Sequence, residues 1–278
     1  MLQAAQQLNM GTALRSHWPE YLMEAANLGL FMISACVFGV LLGYPGAPLH
    51  TAIGNPMLRQ LTGGIAMGST AVAIICSPWG QRSGAHMNPS LTLSFLMLGK
   101  VHGWDAVFYI VAQFLGGIGG VALANAMLGP ALRHMSVNYV VTVPGDAGPA
   151  VAFWAELLIS LVMLSTVLMI SNSRRFARCT PYFAGILVAT YITFESPISG
   201  MSMNPARSLG SAVWAQQWNC LWIYFTAPPL GMFLAAQLFR ARGGVHRVFC
   251  VKFHHHNGKN CIFRCNYGGL LSEGKETL

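Results

Sequence analysis

Acidic side chains are scarce in this chain. Its 278 residues hold eight Asp and Glu against 16 Lys and Arg, so 9% of positions are charged, where an ordinary soluble domain has about a quarter. That shortage excludes a water-soluble globule, whose surface so few charges could not cover. The net charge of +8 comes without a stripe of basic and aromatic residues, which excludes nucleic acid as the partner and leaves anionic lipid headgroups. The first nineteen residues hold no apolar core, so no cleavable signal peptide is expected and the first long apolar run serves as its own insertion signal. No paired disulfide framework is legible. Cys36, Cys76, Cys179 and Cys220 lie in or beside apolar segments, and Cys250, Cys261 and Cys265 gather in the tail, unlike the spacing of a secreted scaffold. The polar residues inside the apolar runs include no nucleophile and base set, so no enzyme is expected.

Apolar residues fill the space that charge leaves. They make up 54% of the chain, and mean hydropathy is +0.50. A hydrocarbon core of about 30 Å requires runs near 20 residues, and six are present, at roughly 20–43, 57–77, 104–128, 150–171, 181–198 and 218–240. Two shorter segments, 89–98 and 205–214, each begin at an Asn-Pro pair. They are too short to cross and are expected as half-helices. The chain is thereby divided into a segment 1–19, a membrane domain 20–241 and a tail 242–278. Six spans leave both termini on one face. Arg15, Arg82, Lys100, Arg174, Arg175, Arg178 and the tail residues from Arg240 to Lys275 fall on that face, while Arg59 and Arg133 fall opposite. The positive-inside rule then makes the termini cytoplasmic, with the cell (inner) membrane as the expected location.

The sequence also repeats itself. Ser83-Gly84-Ala85-His86-Met87-Asn88-Pro89-Ser90 laid over Ser199-Gly200-Met201-Ser202-Met203-Asn204-Pro205-Ala206 matches at five of eight positions, at a separation of 116. Each half, about 20–135 and 148–241, opens with a span bearing one acid, Glu24 or Glu156. Three spans per half is an odd number, so the second copy inserts upside down. Asn is a strong helix N-cap and Pro suits the position after it. Two inverted half-helices meeting near the midplane would converge their positive dipole ends and two Asn amides, repelling cations while offering hydrogen-bond donors. The irregular backbone leading to each Asn is tolerated at that depth only beside a wet cavity or buried in protein.

On these residues the chain resembles the aquaporin and glycerol-facilitator superfamily over about 15–241, with a bacterial-type member expected. The carrying segments are His86-Met87-Asn88-Pro89-Ser90 and Met203-Asn204-Pro205-Ala206-Arg207-Ser208. The resemblance implies an all-α membrane fold, a right-handed bundle of six transmembrane helices plus two re-entrant half-helices, and a homotetramer with one pore per protomer. It implies passive passage of water or of small uncharged solutes such as glycerol, urea or ammonia, with ions and protons excluded and no cofactor required. Glu24 and Glu156 correspond to buried acids that hold the pore loops. His86 corresponds to a loop histidine that either faces the pore or makes a structural hydrogen bond.

The family's outer constriction falls here on Met67, Ile192, Met201 and Arg207, Met67 after a one-residue insertion. Water-specific members place an aromatic ring and a histidine there. Two thioethers and a branched alkane instead imply either a yielding apolar neck or a plug. Ser208, where glycerol channels carry Asp, and Tyr224-Phe225 point back toward water. In the tail, Cys250, His254, His255, His256, Cys261 and Cys265 lie within sixteen residues, a thiolate and imidazole set that suits zinc with Cys250, His254, Cys261 and Cys265 as the candidate ligands, beside the alternative of a disordered tail with incidental cysteines. Two rival functions stand next to the channel: a secondary transporter, with Glu24 and Glu156 as its coupling-ion candidates, and a mainly structural member with a closed pore.

Overall fold

The computed structural model describes residues 8–243, 247–255 and 257–268. Eight principal helices follow one another: α1 (Met10–Gly43), α2 (Pro56–Cys76), α3 (Pro89–Met97), α4 (Gly103–Leu128), α5 (Pro149–Ser171), α6 (Thr180–Phe194), α7 (Pro205–Ala215) and α8 (Leu221–Gly243). α3 and α7 are the half-helices. Among the described residues, four helices are long and apolar enough to cross a membrane by length and composition: α1, α4, α5 and α8. α2 has 21 residues. α6 has 15, a rise of about 22 Å, and falls short of the expected span at 181–198 because the chain turns at Glu195.

Helix pairing displays the repeat. α1 packs on α4 as α5 packs on α8, α3 contacts α8 as α7 contacts α4, and α2 meets α6. Exchanging the two halves returns the same set of pairs, as an internal two-fold requires. Small residues permit the closest approaches. A Cβ on Gly68 of α2 would stand 2.4 Å from the Gly185 carbonyl oxygen of α6, and one on Gly120 of α4 would stand 2.5 Å from that of Gly29 in α1. Without a hydrophobic drive between helices in lipid, such backbone contact is a main source of attraction.

α1 starts ten residues before the run at 20–43. Hydropathy marks the stretch that meets hydrocarbon, whereas the helix needs only a cap and a face to bury. Asn9 supplies the cap, its Oδ1 accepting from Thr12 N at 2.8 Å, and Ala13 is fully buried. Tyr21 donates its hydroxyl to Asp105 at 2.6 Å, and His17 lies 2.8 Å from the same oxygen. Asp105, fully buried, thus ties the start of α1 to the start of α4 on the terminal face, where Arg82 pairs with Glu20 at 2.8 Å.

The described tail folds back on that same face. Val248, Val251, Phe253 and Phe263 are buried in one cluster with core residues of the helices.

Candidate functional site

Asn88 and Asn204 begin the two half-helices. Both have extended backbone, followed by Pro at the first helical position. Asn88 Oδ1 accepts from Ser90 N at 2.8 Å, and Asn204 Oδ1 accepts from Ala206 N at 3.0 Å and Arg207 N at 3.3 Å. Their amide nitrogens cross between the halves. Asn88 Nδ2 donates to the Met203 carbonyl at 2.6 Å, and Asn204 Nδ2 donates to the Met87 carbonyl at 2.7 Å. Each amide has two N–H bonds, so one on each Asn remains for the cavity that both line.

The loops leading to the two Asn residues share a conformation. Ala85 and Met87 have φ of 54° and 51°, and Met201 and Met203 have 47° and 55°. Side chains with a Cβ adopt this left-handed region at a cost of order 1–3 kcal/mol each, and only where surroundings enforce it. The two buried acids supply that enforcement. Glu24 accepts from Met87 N, from Ser83 Oγ at 3.1 Å and from Gln113 Nε2 at 2.9 Å. Glu156 accepts from Ser199 Oγ, Ser202 N and Met203 N, all at 2.7 Å. A tyrosine fastens each loop from the other side, Tyr109 to the Ser83 carbonyl at 2.7 Å and Tyr224 to the Ser199 carbonyl at 2.5 Å.

These tyrosines, the two serines and Gln113 were not picked out as loop supports in the sequence. The signal was present, since Tyr109 and Tyr224 lie 115 apart and Ser83 and Ser199 lie 116 apart, nearly the spacing of the Asn-Pro pairs. Tyr224 therefore serves as a loop clamp, while its neighbour Phe225 stacks on Phe114 at 6.0 Å.

A cavity of about 920 Å³ lies within the bundle. Its wall includes Arg59 and Pro144, the expected neck residues Met67, Ile192, Met201 and Arg207, the two half-helix caps Asn88 and Asn204, and Leu91, His86 and Phe253. All four residues expected at the constriction thus share the lining. Arg207 Nη1 is buried and, among the described residues, has no protein partner. Ser208 sits out of the cavity, its hydroxyl 2.5 Å from that of Ser202 and 2.7 Å from that of Thr142.

His86 is buried on the terminal side and makes two contacts. Nδ1 lies 3.2 Å from Thr92 Oγ1 and Nε2 lies 3.2 Å from the Val251 carbonyl of the tail. Its ring stacks on Phe263 at 5.1 Å. The histidine is among the residues lining the cavity and also contacts the tail.

The tail places Cys250, His255, Cys261 and Cys265 with one donor atom each, all within 4.8 Å of one another. His255 stands where His254 was expected. His254 Nδ1 instead lies 3.8 Å from Cys76 Sγ, because consecutive residues of an extended segment point to opposite sides. Hydrogen bonds from Cys250 and Cys261 hold the Cys265 thiol far below its ordinary range. Burial pushes Cys250 up. At His255 burial acts downward, but hydrogen bonds to Cys261 and Cys265 outweigh it and raise the imidazole to about 9. Three cysteines and a histidine with their donor atoms this close are a donor set suited to zinc, which takes them as thiolates and neutral imidazole and releases their protons.

Comparison with known proteins agrees with this geometry. The chain is 30% identical over 225 residues to a probable aquaporin NIP7-1 of Arabidopsis thaliana, covering 80% of this chain and 77% of that one. It is 32% identical over 186 residues to a glycerol uptake facilitator protein-like 6 of Lactiplantibacillus plantarum, covering 65% and 84%. In fold it is similar to an X-ray structure of the aquaglyceroporin from Plasmodium falciparum, with a TM-score of 0.67 at 16% identity, over 81% of this chain and 96% of that one. The family model for the major intrinsic proteins matches residues 14–239. With six helices, two half-helices and an inverted repeat around one cavity, the chain belongs to the major intrinsic protein family and is an integral membrane protein of the aquaporin fold.

Proposed function

We infer that the chain is a passive channel for water and small uncharged solutes. The observation that carries this reading is the cavity whose lining brings together Arg207, Asn204, Asn88 and His86. Permeants would accept hydrogen bonds from the free N–H of each Asn at the centre. Two half-helix N-termini and the Arg207 guanidinium make that centre positive, which opposes cations and protons. The chain is not an enzyme in this reading. The buried acids also argue against a coupled transporter, since the oxygens of Glu24 and Glu156 are engaged by loop donors and offer no free coupling-ion site.

Selectivity follows from the neck. Met67, Ile192 and Met201 donate no hydrogen bonds, so Arg207 is the neck's one strong side-chain donor. A solute with carbon on one side and hydroxyl or amide on the other can set its carbon against the apolar wall while bonding Arg207. Water gains less there than it would from a histidine. The channel therefore passes water together with a small solute of the glycerol, urea or ammonia class. Both termini and the tail 242–278 lie in the cytoplasm, the membrane domain 20–241 sits in the cell membrane, and protomers assemble as tetramers. Transport itself needs no cofactor, and zinc is held only in the tail.

The neck is tested by changing Ile192 to His and Met67 to Phe together and following swelling of proteoliposomes under water and glycerol gradients. Glycerol flux should fall far more than water flux. An unchanged ratio of the two would show that these residues are not the filter.

A further inference from the structure

The described tail crosses the mouth of the cavity on the terminal face. Phe253 is the tail residue that enters the lining; it is buried, and its N–H donates to the Gly84 carbonyl at 3.2 Å. Val251 gives its carbonyl to His86, and Phe263 stacks on the same ring. The outer anchors reach both halves of the repeat. Arg264 N donates to the Lys100 carbonyl at 2.9 Å, after the first half-helix. Phe249 N donates to Asn172 Oδ1 at 2.7 Å, at the end of α5 in the second half. A segment attached to both sides of an opening, with an aromatic ring in the lining, is placed to close it.

Little within the tail itself holds this shape. No helix longer than a turn and no strand occurs among its described residues, and its two limbs, 248–255 and 259–267, are joined by the Asn266 N–H to Phe249 carbonyl and Lys252 Nζ to Asn260 carbonyl bonds and by the Cys/His cluster. Cys250 Sγ lies 3.7 Å from Cys261 Sγ, against about 3.8 Å between two thiolates that are each about 2.3 Å from a tetrahedral zinc. Cys265 Sγ lies 3.0 Å from His255 Nε2. That pair would open by about half an ångström to reach the sulfur–nitrogen edge of the same tetrahedron. Three thiolates on one zinc leave a net negative charge, and Lys252 is close by, its Nζ donating to the carbonyl of Asn260, next to Cys261, at 2.5 Å.

Resting on the reading of this cluster as a zinc site, we propose that zinc bound by Cys250, His255, Cys261 and Cys265 locks the tail into a plug over the terminal-side mouth, with Phe253 as its tip, and that losing zinc opens the pore. The ligands come from both limbs, so metal binding and folding of the lobe are one event. Without the metal the lobe keeps its buried apolar side chains and its hydrogen bonds to the helices, but loses the one link that ties four of its side chains together, and the entropy of ordering some twenty residues opposes it.

The full-length protein, purified without a histidine tag and reconstituted in liposomes, provides the test. Zinc content is measured directly, and water and glycerol flux are followed before a membrane-permeant chelator, after it, and after zinc is restored. The expected result is about one zinc per protomer, lost in Cys261→Ser, with severalfold higher flux after chelation that falls again when zinc returns. Phe253→Ala lies outside the ligand set and should keep its zinc while conducting severalfold faster without chelator. Zinc-free protein with Cys250 and Cys261 joined as a disulfide overturns the metal site and the plug with it. Zinc at full stoichiometry, with flux indifferent to both chelation and Phe253→Ala, overturns the plug while the zinc reading stands.

Discussion

Glu24 and Glu156 each stand under a strained loop and are completely buried. A buried acid without partners costs several kcal/mol, and each here is repaid by donors that need an acceptor as much as it needs them. Glu156→Gln keeps the shape but turns an NH2 group toward one of the three donors. Thermal unfolding in detergent should show a loss of about 1–3 kcal/mol, together with slower water flux as the Met201 and Met203 carbonyls lose their fixed aim. An unaltered melting temperature would mean that the loop holds its conformation without the clamp. At the centre of the cavity, Asn204→Asp removes the N–H that reaches Met87 and places an anion where two positive helix ends meet. Ion conductance across planar bilayers should then reveal a cation leak absent from wild type.

The repeat makes the residues of the central site readable in sequence, because two copies of Asn-Pro, Ser-Gly and a span-borne acid are hard to explain singly. The tail has no second copy. Its histidines are adjacent in an extended segment, so spacing alone could not tell His254 from His255, and only the path of the backbone does so.

At the scale of helices, close approach sets the architecture. Gly119 and Gly120 are neighbours on α4, yet a Cβ at Gly119 meets nothing within 4 Å while one at Gly120 meets the backbone of Gly29. Gly120→Ala should destabilise the protein by about 1–3 kcal/mol through overpacking. Gly119→Ala should be neutral or slightly stabilising, since Ala favours the helix by up to about 1 kcal/mol. Equal effects in a thermal-shift measurement would contradict the α1–α4 contact. The apolar runs gave the number and order of these helices correctly. Their ends were less legible, because hydropathy reports the lipid-facing length, while α1 continues to Asn9 by capping and burial and α6 stops where Glu195 turns the chain.

Across the whole molecule, one symmetry element builds the pore and one asymmetric segment covers it. Exchanging the halves maps each helix contact onto its counterpart, which brings two half-helices of opposite sense to a common point. Outside this core, Leu115, Leu123, Trp154, Leu158 and Ile186 expose more than half of their surface. That belt suits lipid and, in the tetramer proposed above, neighbouring protomers. Tail residues rest on both halves without belonging to either repeat, so the covering of the mouth was not legible from the motifs that define the pore.

The central claim is a conducting pathway past Arg207, Asn204 and Asn88, and the most direct measurement is stopped-flow swelling of sealed proteoliposomes under water and glycerol gradients, with zinc-loaded and zinc-stripped protein run in parallel and ion current recorded on the same preparations. The account predicts water and glycerol flux well above that of empty vesicles in the zinc-stripped protein, without ion current. Flux no greater than that of empty vesicles in both forms, or solute flux that arrives only with ion current, would contradict it.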